Sequence, residues 1–235
     1  MGKLGEDYGS ERHLLTYRKS APEALDRAIL HALSSDAGTT VRWLYPDRSG
    51  RRGVKFKGVG FLRSQPWATG TPKALADWTG FWPQTGSAPS WDGVVILERN
   101  GVPNQWLLLE AKGNHPEFVG TPARATRKSL EIIERALNRT KRGCGVHRHF
   151  HWTGSYYQFA NRLALTAFLN RHGVPATLVE VFFTGDRFPD GRFCPASEGE
   201  WKPLIEARRV TLGLGPLTVP DHVVDVFLSC HNPMD

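Results

Sequence analysis

Two apolar segments separated by a helical stretch constrain the fold of this chain more than any other feature. Residues 105–112 (QWLLLEAK) and 176–184 (ATLVEVFFT) contain the near-continuous apolar runs that are typical of fully buried strands. Between them, a helix is predicted over about residues 155–170, with a stop signal at Gly173. A strand, a long helical crossover and a second buried strand describe a βαβ unit, so we expect part of the sheet to be parallel.

Residues 91–98 (WDGVVILE) form another predicted strand, which a strong turn signal joins to the first of the apolar segments. Asn100-Gly101 favours a hairpin, and Pro103 disrupts a continuous ladder, so we predict a five-residue loop over residues 99–103. A loop centred on Gly101 fixes which residues of the two strands face each other.

That register brings charged side chains together at one end of the hairpin. Asp92 is expected opposite Glu110, with the two Cβ atoms about 5 Å apart. Side chains alternate along a strand, so Lys112 shares the face of Glu110. Two carboxylates this close repel each other, and Mg²⁺, which prefers oxygen ligands, would relieve the repulsion. The backbone carbonyl of Ala111 is a further candidate ligand, and Lys112 is placed to orient water or to stabilise charge on a phosphate.

The remaining elements are predicted from caps, breakers and periodicity. Helices are expected after Ser20 and from Thr121, which would serve as an N-cap, and a strand is expected over residues 41–45. Residues 58–90 are rich in Gly, Pro and Trp and are predicted to form an irregular packed segment, while residues 223–228 form a short strand or helix.

Length and composition bound the class of protein. The chain has 235 residues, which one α/β domain can fill. Its net charge of +7 favours a polyanionic partner such as nucleic acid. The three cysteines are widely spaced, and no apolar run approaches the roughly 20 residues of a bilayer span. The N-terminus is polar, so we expect a reduced, cytoplasmic protein without a membrane partner.

The acidic hairpin also carries a known pattern. Asp92, seventeen intervening residues and then Glu110-Ala111-Lys112 at the end of an apolar strand resemble the PD-(D/E)xK nuclease superfamily, which has the restriction-endonuclease-like fold. Pro89 stands three residues before Asp92, whereas the usual proline precedes the acid by one residue. Three further segments are similar to uncharacterised bacterial members: FWP at residues 81–83, WD at residues 91–92 and YQFANRLA at residues 157–164.

The resemblance implies a fold and a set of roles. The expected fold is α/β, a restriction-endonuclease-like core with a central mixed β-sheet flanked by helices (αβββαβ) and an inserted basic helix. It would make residues 1–235 a single nuclease-like domain with its core over about residues 20–190. Asp92 and Glu110 are implied to hold Mg²⁺ or Mn²⁺, with Lys112 as the catalytic lysine.

Two additional helix positions are implied by the same resemblance. In several nuclease branches a glutamine on the following helix assists the site, and Gln158 occupies the matching place. Gln158, Asn161 and Arg162 share one helix face, either as a support for the site or as ordinary polar surface. An acid on the first helix often joins the metal site, so Glu23 is the candidate and Glu11 the reserve, although the helix dipole also explains Glu23.

Basic side chains provide the expected contacts to nucleic-acid phosphates. These residues are Arg51, Arg52, Lys55, Arg124, Arg127, Lys128 and Arg162. A solvated helix face with glutamate counterions is the alternative for the basic helix, and no base-reading module is evident.

A His-rich segment offers a second place for a metal. Cys144, His147, His149 and His151 combine soft and imidazole ligands, but their spacing matches no common structural zinc pattern. A histidine-rich loop is therefore the simpler interpretation.

Three functions stay open at this point. The first is a Mg²⁺- or Mn²⁺-dependent deoxyribonuclease, for which a homodimer would supply the two active sites that double-strand cutting requires. The second is a non-catalytic module on the same fold that binds nucleic acid or another partner. The third is an enzyme that acts on RNA or on a nucleotide.

Overall fold

The computed structural model describes residues 9–49, 53–86, 88–188, 190–215 and 222–231. This part of the chain has the expected α/β class, with a five-stranded mixed sheet flanked by helices. The strands are β1 (Thr39–Tyr45), β2 (Gly93–Arg99), β3 (Val102–Lys112), β4 (Ala176–Thr184) and β5 (Val223–Ser229). The helices are α1 (Ser10–Ser20), α2 (Pro22–Ala32), α3 (Thr71–Phe81), α4 (His115–Val119), α5 (Arg127–Gly143), α6 (Tyr157–Arg171) and α7 (Glu198–Leu212), and a 3₁₀ helix covers Gly60–Arg63.

The strands lie in the sheet in chain order, β1-β2-β3-β4-β5. The pairs β1–β2 and β2–β3 are antiparallel, whereas β3–β4 and β4–β5 are parallel. The predicted βαβ unit is confirmed, because α6 precedes β4 and β4 pairs in parallel with β3. The carboxyl ends of β3, β4 and β5 therefore meet at one edge of the sheet, which is where open α/β sheets commonly place their ligands.

The β2–β3 hairpin has the predicted register with a tighter turn. Gly93 faces Leu109 and Leu97 faces Gln105, as a centre at Gly101 requires. The predicted five-residue loop is wrong, since Arg99 pairs with Val102 around a two-residue turn. Asn100 and Gly101 both have positive φ (50° and 77°), the conformation that matches the twist of paired strands. A register shift between Leu97 and Glu98 absorbs the difference.

The helices depart from the sequence prediction in three respects. The helix expected from Thr121 begins instead at Arg127, because Thr126 is the N-cap and its side chain accepts a hydrogen bond from the Ser129 N–H. Part of the segment interpreted as irregular forms α3, with a proline in its first turn. Helices α1, α4 and α7 were not predicted. Helix α4 has only five residues, and the sequences of α1 and α7 are polar on average, which obscures their buried faces.

Two apolar layers cover the sheet. One contains residues from α3, α5 and α6 together with Trp91 and Trp106, and the other contains residues from α1 and α2 with Val95 and Leu107. Helix α6 is buried on most of its circumference, including Phe159 and Leu163, so it forms the centre of the first layer. Within the described residues, no helix is long and apolar enough to cross a bilayer.

Candidate active site

The acidic end of the β2–β3 hairpin opens into a cavity of about 610 Å³. Asp92, Glu110, Lys112 and Gln158 all line it, together with Ala111. The structure therefore brings together the residues that the sequence assigned to catalysis and metal binding at the end of the hairpin. Glu11, Lys55, Glu117 and Arg192 complete the charged part of the wall.

Glu110 and Lys112 lie at the carboxyl end of β3 and are both buried. The Lys112 Nζ donates to Glu110 Oε1 at 2.8 Å and to Gln158 Oε1 at 2.6 Å. Their shared strand face was predicted from the alternation of side chains. The ammonium group is thus held at two points in the wall of the cavity.

Gln158 is supplied by the first turn of α6. Tyr156 caps this helix in the left-handed region (φ 62°), which is uncommon for a residue with a side chain. Its N–H donates to the Val119 carbonyl at 2.8 Å, and its ring packs edge-on against Phe118. These contacts fix the start of α6 and therefore the position of the Gln158 amide.

Asp92 lies one residue before β2 and is held by three contacts. Its backbone N–H donates to the Leu109 carbonyl at 3.0 Å, and its Oδ2 accepts a hydrogen bond from the Ala111 N–H at 3.0 Å. Its Oδ1 accepts from Lys55 Nζ at 2.6 Å. Although burial acts to raise it, the pKa of Asp92 lies below its ordinary value because of the Lys55 ammonium and the Ala111 N–H.

Lys55 was predicted to contact phosphates from a basic loop or hairpin, and the structure places it in the wall of the cavity. It extends into the cavity, where its Nζ lies 2.6 Å from Asp92 Oδ1 and 3.3 Å from Glu11 Oε1. Burial acts to lower the pKa of Lys55, but the charge of Asp92 and their hydrogen bond raise it above its ordinary value. Lys55 is therefore the counterion of the acidic site.

Arg162 was likewise predicted to contact nucleic acid, but the structure buries it behind the site. Its Nε donates to Glu110 Oε2 at 3.0 Å, and its two other nitrogens donate to Asn161 Oδ1 and to the Ser90 carbonyl, each at 2.6 Å. The guanidinium group also lies over the Trp91 ring, 5.4 Å from its centroid. Arg162 therefore holds Glu110 in place and has no access to a polymer.

Of the two acids considered on the first helices, the structure brings Glu11 to the site. Glu23 is exposed and lies 3.5 Å from an Arg48 nitrogen, and it does not line the cavity. The reason is that α1 precedes the helix of Glu23, and the first turn of α1 reaches the hairpin. The acid that a first helix brings to the cavity is therefore Glu11, the reserve candidate, and Glu23 lies away from it.

The other basic candidates are divided. Arg124, Arg127 and Lys128 are exposed, as a phosphate-contacting role requires. Arg127 also lies 3.4 Å from Glu131, the counterion arrangement that was the alternative. Arg51 and Arg52 lie outside the described residues.

The His-rich segment does not form a converging metal site. His147 and His149 are exposed and contact each other through their Nδ1 atoms at 2.6 Å, while Cys144 packs against the core. Across the described ranges, His13, Asp186 and Cys230 form the one group of three or more potential ligands that converge. Sequence spacing could not reveal this group, because its members come from three distant segments.

The sequence also gave no signal for several members of the cavity wall. Glu117 accepts a hydrogen bond from the Gly113 N–H at 3.0 Å, and Asn114 caps the short helix α4 that carries it. Arg192 reaches the cavity from the segment after β4. No protein-family model, curated protein or solved structure matches the chain.

Proposed function

We propose that this protein is a divalent-metal-dependent nuclease that hydrolyses DNA phosphodiester bonds in the cavity of Asp92, Glu110 and Lys112. One observation carries the proposal. The two carboxylates line a single cavity with a lysine whose Nζ is 2.8 Å from Glu110 and 2.6 Å from Gln158. Metal-assisted attack of water on phosphorus requires carboxylate oxygens for the metal and a fixed cation near the phosphate. Both kinds of group line this cavity.

The donor atoms fit Mg²⁺ or Mn²⁺. The carboxylates of Asp92 and Glu110 and the carbonyl of Ala111 would hold the ion, and all are hard oxygen ligands. In a strand, the N–H and C=O of one residue point to the same side. Because the Ala111 N–H donates to Asp92 Oδ2, the Ala111 carbonyl faces the Asp92 side as well. When bound, such an ion polarises the phosphate and lowers the pKa of a bound water.

The side chains around these oxygens have separate roles in the proposal. Lys112 stabilises the negative charge that develops on the phosphate and orients the attacking water. Gln158 fixes the Lys112 ammonium through its 2.6 Å hydrogen bond. Arg162 fixes the Glu110 carboxylate from behind and acts as a positioning residue.

A polymeric substrate is favoured by what lies next to the cavity. A neighbouring cavity of about 360 Å³ shares Tyr157 and Asn161 with the first one and is lined by Arg124. A phosphate chain that passes from one cavity to the other would meet this exposed guanidinium group. The net charge of +7 adds long-range attraction for such a polyanion.

A second candidate function is a non-catalytic module that binds nucleic acid or a partner. The observation in its favour is that Lys55, Lys112 and Arg162 already neutralise both carboxylates. A self-satisfied network of this kind needs no metal to be stable. This candidate predicts salt-sensitive DNA binding without metal-stimulated cleavage.

The test is a nicking assay on supercoiled plasmid with Mg²⁺ or Mn²⁺, run beside an EDTA control. We expect nicking that requires the metal and falls about 100-fold or more in Lys112→Ala and Asp92→Asn. Labelled RNA in the same buffer decides between DNA and RNA as the substrate.

Glu98→Gln is the matched control, because Glu98 is another carboxylate of the same hairpin and pairs with Arg42 at 2.6 Å. It should retain full nicking. Equal activity in the wild type and in both cavity variants would assign the cleavage to a contaminant and contradict the proposal. DNA binding with no cleavage under any metal would favour the binding module.

A further inference from the structure

A second cluster with metal-ligand chemistry lies at the same edge of the sheet. It joins His13 of α1, Asp186 after β4 and Cys230 directly after β5. One ligand atom from each, an imidazole nitrogen, a carboxylate oxygen and the thiol sulfur, lies within 4.8 Å of the other two. These residues are separated by long stretches of sequence, so their convergence is a product of the fold.

The carboxylate of this cluster is buried and only half satisfied. His13 Nε2 lies 2.9 Å from Asp186 Oδ1, and the Asp186 side chain is 5% exposed. Oδ1 also accepts from the Arg187 N–H at 2.8 Å, whereas Oδ2 accepts no hydrogen bond from any described residue. A buried oxygen without a donor is costly, and a cation is one of the few groups that would remove that cost.

We propose that His13, Asp186 and Cys230 bind a transition-metal ion of the zinc class. Imidazole nitrogen, carboxylate oxygen and thiolate sulfur are the three ligand types that Zn²⁺ uses in proteins. Bonds of about 2.0–2.3 Å in a tetrahedron place ligand atoms roughly 3.3–3.8 Å apart. Ligand atoms that already lie within 4.8 Å therefore require only small side-chain rotations.

A catalytic zinc site commonly leaves its fourth position to water, and one further nitrogen donor lies near this cluster. The imidazole of His231 lies over Gly185, where a methyl group on that glycine would meet its Nε2 at 3.2 Å. The mixed sulfur and nitrogen set distinguishes this site from the oxygen ligands of the Asp92–Glu110 cavity and selects a softer ion.

The metal would connect α1 to the strand ends that build the cavity. Gly113, which follows Lys112, lies directly against this carboxylate, since a methyl group there would meet Asp186 Oδ2 at 3.0 Å and Ser10 N at 3.3 Å. Glu11, two residues before His13, lines the cavity itself. An ion bound to His13 therefore holds the helix that carries Glu11 to the acidic site.

The test uses Co²⁺ as the spectroscopic probe on the purified 235-residue chain after EDTA treatment. We expect a thiolate-to-cobalt charge-transfer band that saturates at about one equivalent and that Zn²⁺ displaces. Cys230→Ser should abolish the band, and His13→Gln should weaken Co²⁺ binding at least tenfold. Bound zinc should also raise the Tm of the wild type, with this rise lost in both variants.

Cys144→Ser is the matched control, because this cysteine lies outside the cluster, and it should keep the band. Asp92→Asn should keep it as well, which separates this proposal from the nuclease proposal. The absence of a thiolate band in the wild type would overturn the metal site. So would a band that survives both Cys230→Ser and His13→Gln, whether or not the protein cuts DNA.

Discussion

Two neighbouring strands of the sheet each carry a buried glutamate that is paired with an arginine, and the two ion pairs lie in different surroundings. Glu110 of β3 and Glu180 of β4 are partners in the parallel register, both are buried, and each accepts hydrogen bonds from an arginine of a following helix. Arg208 binds both oxygens of Glu180 and lies between Phe159 and Phe118, 3.8 Å and 4.8 Å from their ring centroids. Glu110 instead lines a cavity.

The residue two positions further along each strand accounts for the difference. Lys112 follows Glu110, and its register partner after Glu180 is Phe182, which packs against Trp201 and Phe227. The Lys112 ammonium lines the polar cavity beside Glu110. On β4 the Phe182 ring packs against aromatic neighbours and fills the corresponding space beside Glu180. A glutamate–arginine pair is thus a structural ion pair at Glu180 and part of a candidate active site at Glu110.

The largest expected effect is a loss of stability when the buried Glu180–Arg208 pair is broken. Arg208→Met leaves the buried Glu180 without its partner, so we expect the free energy of unfolding to fall by about 3–5 kcal/mol. The measurement is urea denaturation followed by circular dichroism. Adding Glu180→Leu to Arg208→Met should restore most of the loss, because an apolar pair of similar volume avoids the unpaired charge. A double variant no more stable than the single one would contradict the role of charge burial.

Substitution in the Glu110–Arg162 pair at the cavity should reduce nuclease activity more than it reduces stability. Glu110→Gln removes one carboxylate from the cavity while Arg162 keeps its bonds to Asn161 and Ser90. We expect plasmid nicking to fall by about 10²–10³-fold, with a smaller loss of stability than in Arg208→Met. If the two variants were equally destabilised and equally active per folded molecule, the contrast between the two sites would not hold.

The pH dependence of stability provides a third test, at Asp225 of β5, which lies beside Glu180 in the sheet. Asp225 pairs with Glu180 in the sheet, and burial together with the charge of Glu180 raises its pKa to about 6. A raised pKa means that ionisation costs stability, so the folded state loses stability as the pH rises from about 4 to above 6. Because a pKa change of one unit corresponds to about 1.4 kcal/mol, Asp225→Asn should be more stable than the wild type by about 3 kcal/mol at pH 8. The difference should vanish near pH 3, and a constant difference across this range would contradict the assignment.

The smallest effect is expected from the positioning of Lys112. Gln158→Ala removes one of the two hydrogen bonds of its ammonium group. We expect nicking to fall about tenfold, the equivalent of about 1.4 kcal/mol in the activation free energy. Gln158→Glu keeps an acceptor and should recover part of this loss, whereas a purely structural role for Gln158 would give no recovery.

Much of the hairpin and the parallel unit was readable from local pattern. Alternation along β3 put Glu110 and Lys112 on one face, and the Asn100-Gly101 signal set the register even though the predicted loop was too long. Both depend on interactions within a few residues, which sequence periodicity reports directly. Helix α1 was not predicted because its amphipathic pattern is weak. Its buried face is defined only by packing against the sheet.

By itself, then, the sequence determined the α/β class, the acidic hairpin and the chemical nature of its end, since these follow from side-chain periodicity and turn chemistry. Only the tertiary structure decided that Lys55 neutralises Asp92, that Arg162 is buried behind Glu110, and that Glu11 replaces Glu23 at the cavity. It also brought His13 to Asp186. Contacts between distant segments depend on how helices pack on the sheet, and the identity of each residue alone does not encode that geometry.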